Sequence, residues 1–218
     1  MELAGFVPFA LFACCDHATA SVYDASDMSK AAKNKRAAPG AVKSPSRKAH
    51  GARAVVAIVV SRYNETVTDS LLAGALAVAA NASNGAGAAL LDVGAEVIDA
   101  PGAYEVVPIA AAAARSGRYA GVLGLGCIIK GETRHDEFLA HAVTSGLANI
   151  SIATGVPTAL GVLTVNTAKQ ARERSGGKHG NKGAEAMSAL LHTIAVCRAI
   201  SAGRLAPALA HASPDKLS

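Results

Sequence analysis

Apolar positions along the chain follow two periods, and the places where one gives way to the other mark out strands and helices. Ala54 to Val60 is a β-branched apolar run of buried-strand length. Thr66 to Ala80 then carries apolar residues at Val67, Leu71, Leu72, Ala75, Leu76 and Ala79, the spacing of one helical face, and the breaker-rich Asn81 to Gly87 is expected to end that helix. Val93 to Ala100 reads as a second strand, closed by Pro101-Gly102-Ala103-Tyr104-Glu105, and Val106 to Ser116 as a helix that tolerates Pro108 in its first turns. Gly121 to Ile129 is almost wholly apolar, as suits a strand covered on both faces. His135 to Gly155 predicts a long helix, Pro157 to Thr164 a strand, Thr167 to Ser175 a short helix, Gly176 to Gly183 a flexible loop and Ala184 to Ile200 a last helix.

Strand and helix therefore alternate, with short connections. That order predicts an α/β fold with right-handed crossovers: a flavodoxin-like three-layer α/β/α sandwich around a four-stranded parallel core sheet. In open sheets of this kind ligands sit beyond the carboxyl ends of the strands, where the next helix offers free backbone N–H groups and the positive end of its dipole.

The stretch after the third strand is the richest in chemistry. Gly131 allows close backbone approach, Thr133 offers a hydroxyl, and His135 can exchange protons near neutral pH. The turn suits an anion and a proton transfer. An ordinary strand-to-helix turn, with Thr133 as N-cap and Asp136 and Glu137 favouring the first helical turn, accounts for the same residues. A dinucleotide fingerprint fails, because Ile129 stands where the third glycine after Gly124 and Gly126 is needed.

Charge changes the picture only at the amino-terminal side. Residues 28 to 53 hold eight Lys or Arg and no acidic residue, whereas residues 54 to 218 are nearly balanced, so the net charge of +5 says little about the globular part. Residues 1–52 are expected to form a disordered basic extension, solvated rather than bound to nucleic acid, with 53–201 as the domain and 202–218 as a tail. Leu3 to Cys15 is apolar but lacks the basic n-region of a secretory leader, and Met28 is an alternative start. No stretch reaches the roughly 20 apolar residues of a membrane span. Cys14, Cys15, Cys127 and Cys197 make no spaced metal set and the histidines make no HExxH pair, so the expectation is a reduced, cytoplasmic chain without metal or organic cofactor.

Five motifs, in order, resemble those of lumazine synthase, the penultimate enzyme of riboflavin biosynthesis. They are Ser61-Arg62-Tyr63-Asn64, Pro101-Gly102-Ala103-Tyr104-Glu105, Gly126 through His135, Gly161-Val162-Leu163-Thr164, and Arg174 followed by Gly180-Asn181-Lys182-Gly183-Ala184-Glu185. The resemblance implies condensation of 5-amino-6-ribitylaminouracil with 3,4-dihydroxy-2-butanone 4-phosphate, releasing phosphate and water. It implies that Tyr63 stacks on the pyrimidine beside Asn64, that Ala103, Tyr104 and Glu105 line the ribityl chain, and that Cys127, Ile128 and Ile129 give backbone contacts to the heterocycle. It further implies that Gly131, Glu132 and Thr133 hold the phosphate, that Arg174 clamps it from a neighbouring subunit, that Lys182 and Glu185 complete the rim, and that His135 shuttles protons.

The chain departs from the family pattern at Lys130, where arginine is common, at Arg134, where a small residue or proline precedes the histidine, and at Leu160, where an aromatic reaches the neighbouring site. The resemblance implies a homopentamer or a 60-subunit icosahedral shell, with riboflavin synthase as a candidate partner. A homologue that binds flavin or lumazine, or builds a cage, without turnover is the alternative reading.

Overall fold

The structure, a computed structural model, describes residues 54–83 and 93–204. The predicted basic extension and most of the carboxyl-terminal tail lie outside the described residues. The elements are β1 (Ala54–Ser61), α1 (Glu65–Ser83), β2 (Val93–Ala100), α2 (Val106–Arg115), β3 (Gly121–Ile129), α3 (His135–Thr154), β4 (Thr158–Val165), α4 (Ala168–Arg174), β5 (Ser175–Gly177), β6 (Gly180–Asn181) and α5 (Lys182–Ser201). Strands β1 to β4 form one parallel sheet in the order β2-β1-β3-β4. This is the expected flavodoxin-like arrangement.

The two-residue period of the strands sorts their side chains into two cores. Ile58, Val60, Leu123, Leu125 and Cys127 face one way and pack with Leu71 of α1 and Met187, Leu190 and Ile194 of α5. Ala57, Val59, Val122 and Ile128 face the other way, against Val106 and Ala110 of α2 and Val143, Leu147 and Ile150 of α3. Truncating one of the fully buried leucines, such as Leu123, to alanine is expected to cost about 2–5 kcal/mol. Small residues let the layers close up: a Cβ built on Gly124 in the middle of β3 would stand 3.0 Å from both Leu147 and Val106.

Two boundaries differ from the sequence expectation by more than one residue. Helix α1 runs on to Ser83 instead of stopping at Asn81, because Ala82 packs against the first core and burial there outweighs the weak helix preference of asparagine. The expected Gly176 to Gly183 loop contains a short antiparallel hairpin, β5 with β6, and α5 begins at Lys182. Asn181 explains that early start. Its side-chain oxygen accepts from the backbone N–H groups of Gly183 and Ala184 at 2.9 and 3.1 Å, capping the helix.

Candidate active site

The sheet order places the topological switch between β1 and β3: the chain leaves β1 toward β2 on one side and β3 toward β4 on the other. A crevice is expected at the carboxyl ends of these two strands. The turns after β1, β2 and β3 emerge at that edge and carry most of the residues singled out from the sequence.

The turn after β1 holds Tyr63 and Asn64. Asn64 has φ 61, the left-handed conformation that asparagine tolerates better than most residues. Its side-chain amide donates to the Cys127 carbonyl at 2.9 Å, linking the β1 turn to the end of β3. The hydroxyl of buried Ser61 accepts from the Tyr63 N–H at 3.2 Å, and the Tyr63 ring stands 69% exposed above this corner. An exposed ring held by a fixed backbone is free to stack on a flat partner.

The turn after β2 brings Ala103, Tyr104 and Glu105. Ala103 is buried, and its Cβ would be 3.6 Å from a Cβ on Gly126, so this turn sits against the carboxyl half of β3. Glu105 occupies the N-cap position of α2 without a side-chain capping bond. Its carboxylate folds back over Gly102, where an added Cβ would meet Oε2 at 2.8 Å. The acceptor oxygens of Glu105 therefore lie over the turn.

The turn after β3 runs from Lys130 to Arg134 and is exposed throughout. The Lys130 N–H donates to the Val165 carbonyl at 2.8 Å, carrying the β3–β4 pairing one step past the strand. A Cβ on Gly131 would find no neighbour within 4 Å, so the backbone there opens onto free space. His135 opens α3, and its N–H points to the Thr133 hydroxyl at 3.5 Å. Thr133 was an expected N-cap; Arg134 takes that position instead, and makes no side-chain capping bond. The N-cap residue therefore leaves the first turn of this 20-residue helix without a side-chain cap, and the His135 N–H meets the Thr133 hydroxyl, at the helix end whose dipole favours an anion. The Arg134 guanidinium is turned along the helix, donating to Glu137 at 2.8 Å and lying 5.8 Å from the centre of the Phe138 ring.

Cys127 and Ile128 are buried and Ile129 half-buried, so this strand end offers its backbone more than its side chains. Burial pushes the Cys127 thiol up to about 11, which leaves it protonated and unsuited to act as a nucleophile near neutral pH.

The remaining predicted residues lie farther along the chain. Leu160 of β4 is 45% exposed, and Arg174 ends α4 with its guanidinium donating to the Gln170 carbonyl at 3.4 Å. Lys182 and Glu185 pair at 2.7 Å on the first turn of α5. The turns after β1 and β2 thus both lie against the carboxyl half of β3, whereas the Arg174 guanidinium bonds within its own helix. Among the motif residues given no role by sequence reasoning, two make several side-chain contacts. Asn181 donates to Ser70 at 2.7 Å and Ser175 at 3.1 Å, fixing the hairpin after Arg174 on α1; an asparagine just before a helical run is the signal that could have found it. Arg62 is the other, and its contacts are three carboxylates. Among the described residues no helix is long and apolar enough to cross a membrane, and no group of His, Cys, Asp or Glu could hold a metal.

Residues 53–198 match the family model described as 6,7-dimethyl-8-ribityllumazine synthase. The chain is 45% identical over 150 residues to the 6,7-dimethyl-8-ribityllumazine synthase of Edwardsiella ictaluri, an alignment covering 69% of this chain and 93% of that one. It is 48% identical over 151 residues to 6,7-dimethyl-8-ribityllumazine synthase 1 of Caulobacter vibrioides, covering 69% and 95%. Against the 6,7-dimethyl-8-ribityllumazine synthase of Nitratidesulfovibrio vulgaris identity is 41% over 140 residues, covering 64% and 86%.

Proposed function

Given that this chain belongs to the 6,7-dimethyl-8-ribityllumazine synthase family, we propose that it makes lumazine at the carboxyl edge of β1, β2 and β3. The enzyme is a transferase of riboflavin biosynthesis. It condenses 5-amino-6-ribitylaminouracil with 3,4-dihydroxy-2-butanone 4-phosphate and releases phosphate and water.

The observation that carries the site reading is the Asn64 to Cys127 bond, which ties the exposed Tyr63 ring to the strand end from which the Gly131 to His135 turn departs. In this reading Tyr63 stacks on the pyrimidine, the backbone of Cys127 to Ile129 meets its edge, and Ala103, Tyr104 and Glu105 line the ribityl chain. Glu105 accepts from its hydroxyls. The phosphate rests on the N–H groups and hydroxyl of Gly131, Glu132 and Thr133 at the start of α3.

The amine attacks the ketone, and loss of water gives an imine. Loss of phosphate follows, then ring closure with loss of a second water. Each step moves a proton to or from nitrogen, carbon or oxygen, and His135 sits one helical residue past the phosphate turn, placed to carry it. The dispersed charge on the leaving phosphate favours a bidentate cation, which Arg174 supplies from a neighbouring subunit, with Leu160, Lys182 and Glu185 on the rim. The working form in this reading is a homopentamer, open to further assembly into a 60-subunit shell, located in the cytoplasm. Riboflavin synthase, which would consume the product, is its candidate partner. The exposure of Leu160, Phe138 and Ile152 supplies apolar surface for such contacts.

Mixing purified protein with both substrates tests the activity. Lumazine absorbance and fluorescence should appear with release of phosphate. Binding of ligand without turnover would instead identify a non-catalytic lumazine-binding or cage-forming homologue.

A further inference from the structure

We propose that Arg62 is a positioning residue that clamps together the two turns recognising the pyrimidine and the ribityl chain. The inference rests on the site reading above, which gives Arg62 no part. Ser61 and Ala100 are register partners at the last step of the β1–β2 ladder, so the turns after these strands leave side by side. The Arg62 N–H donates to the Ala100 carbonyl at 2.8 Å, extending the ladder one residue into the turns. The guanidinium then pairs with Asp99 of β2 at 2.5 Å, with Asp69 of α1 at 2.9 Å and with Glu65, the first residue of α1, at 3.9 Å.

One side chain therefore anchors the end of β2 and the start of α1. Tyr63 and Asn64 are the only residues between Arg62 and Glu65, and Asn64 is held in a left-handed conformation that needs support from outside. On the other side, Asp99 lies three residues before Gly102, over which Glu105 folds. The planar fork of arginine can serve carboxylates in several directions, which a single ammonium does less well. The three acidic side chains are 64%, 54% and 61% exposed for Glu65, Asp69 and Asp99, so each pair adds little to global stability. Holding two recognition turns in their bound arrangement, in contrast, lowers the ordering cost of binding. The clamp should thus be felt in KM for the ribityl pyrimidine more than in Tm.

The test compares Arg62→Met, Arg62→Lys, Asp99→Asn and Tyr63→Ala by KM for each substrate, kcat and Tm. Arg62→Met should raise KM for the pyrimidine roughly three- to tenfold, with KM for the phosphate substrate changed by less than about twofold. Asp99→Asn should move the same constant in the same direction, Arg62→Lys should recover part of the loss, and the Arg62→Met/Asp99→Asn double variant should lose less than the product of the singles. Should Arg62→Met fail to fold, Asp99→Asn and Asp69→Asn carry the test, since both side chains are more than half exposed. Equal changes in both KM values, or a lowered Tm with both unchanged, would overturn the clamp. A normal KM rise in Tyr63→Ala with silent Arg62 and Asp99 variants refutes this inference alone. A Tyr63→Ala variant with unchanged KM refutes the site reading and the clamp with it.

Discussion

The side-chain amide of Asn64 donates to the main-chain carbonyl of Cys127 at 2.9 Å, across the switch between β1 and β3. The donor sits at φ 61, so a strained residue and a cross-strand bond depend on one another. Replacing Asn64 with alanine should remove the bond and leave an ill-suited side chain in the left-handed region, costing about 1–3 kcal/mol. Asn64→Gly loses the bond but relieves the backbone and should be the milder change. Urea unfolding of the two variants checks the order; alanine milder than glycine would mean that the backbone at this turn relaxes.

Two glycines should respond in opposite ways to an added methyl. At Gly102 the clash is with the far end of the Glu105 side chain, which can swing away. Gly102→Ala should therefore leave Tm within a few degrees and raise KM for the ribityl substrate. At Gly183 the clash is with the Leu71 backbone carbonyl, where α1 and α5 press together and neither chain can yield. Gly183→Ala should cost about 3 kcal/mol or more, or prevent folding. Melting curves with substrate titrations separate the two behaviours.

Burial raises the Cys127 thiol to about 11, so the folded state keeps its proton where the unfolded chain has lost it. The group thus contributes stability that is fully present below the ordinary thiol pKa of about 8.5 and fades as pH rises toward about 11. Cys127→Ser should flatten part of the alkaline decline in stability. In iodoacetamide labelling of native protein at pH 8, exposed Cys197 should be modified and Cys127 spared.

Removing the proposed proton carrier should slow turnover without dismantling the fold, because His135 is exposed on the first turn of α3 and belongs to neither core. His135→Ala is expected to lower kcat by roughly ten- to a thousandfold, since a general acid–base group contributes about 10²- to 10⁴-fold and substrate amines or water replace part of it. An unchanged kcat would take His135 out of the mechanism.

The sheet was legible because β1 and β3 are apolar runs of buried-strand length set between turn residues, and α1 between β1 and β2 repeats apolar residues at helical spacing. Val59 and Val60, on opposite faces of β1, needed only the two-residue period. The hairpin before α5 was hidden because glycines at 176, 177 and 180 carry no pattern of side chains, and its order comes from the reach of Asn181 to Ser70 on another helix. The site's residue types were legible as motifs, but their joining was not. The Asn64 bond to Cys127 spans 63 positions and Arg62 meets Asp99 across 37, and no local spacing encodes either contact. Thr133 lost the cap position to Arg134 because the turn continues one residue farther than its sequence suggested.

Subunit mixing tests most directly the proposed reaction centre, in which the His135 turn of one subunit meets Arg174 of its neighbour. Arg174→Ala should raise KM for the phosphate substrate by about ten- to a hundredfold, as expected for loss of a charge-assisted contact of about 1.5–3 kcal/mol, and alter KM for the pyrimidine far less. When Arg174→Ala and His135→Ala proteins exchange subunits, some interfaces pair an intact His135 with an intact Arg174. Lumazine formation at low phosphate-substrate concentration should then exceed the sum of the separate variants. If mass spectrometry verifies mixed assemblies and activity stays at that sum, the two residues do not share a site across the interface.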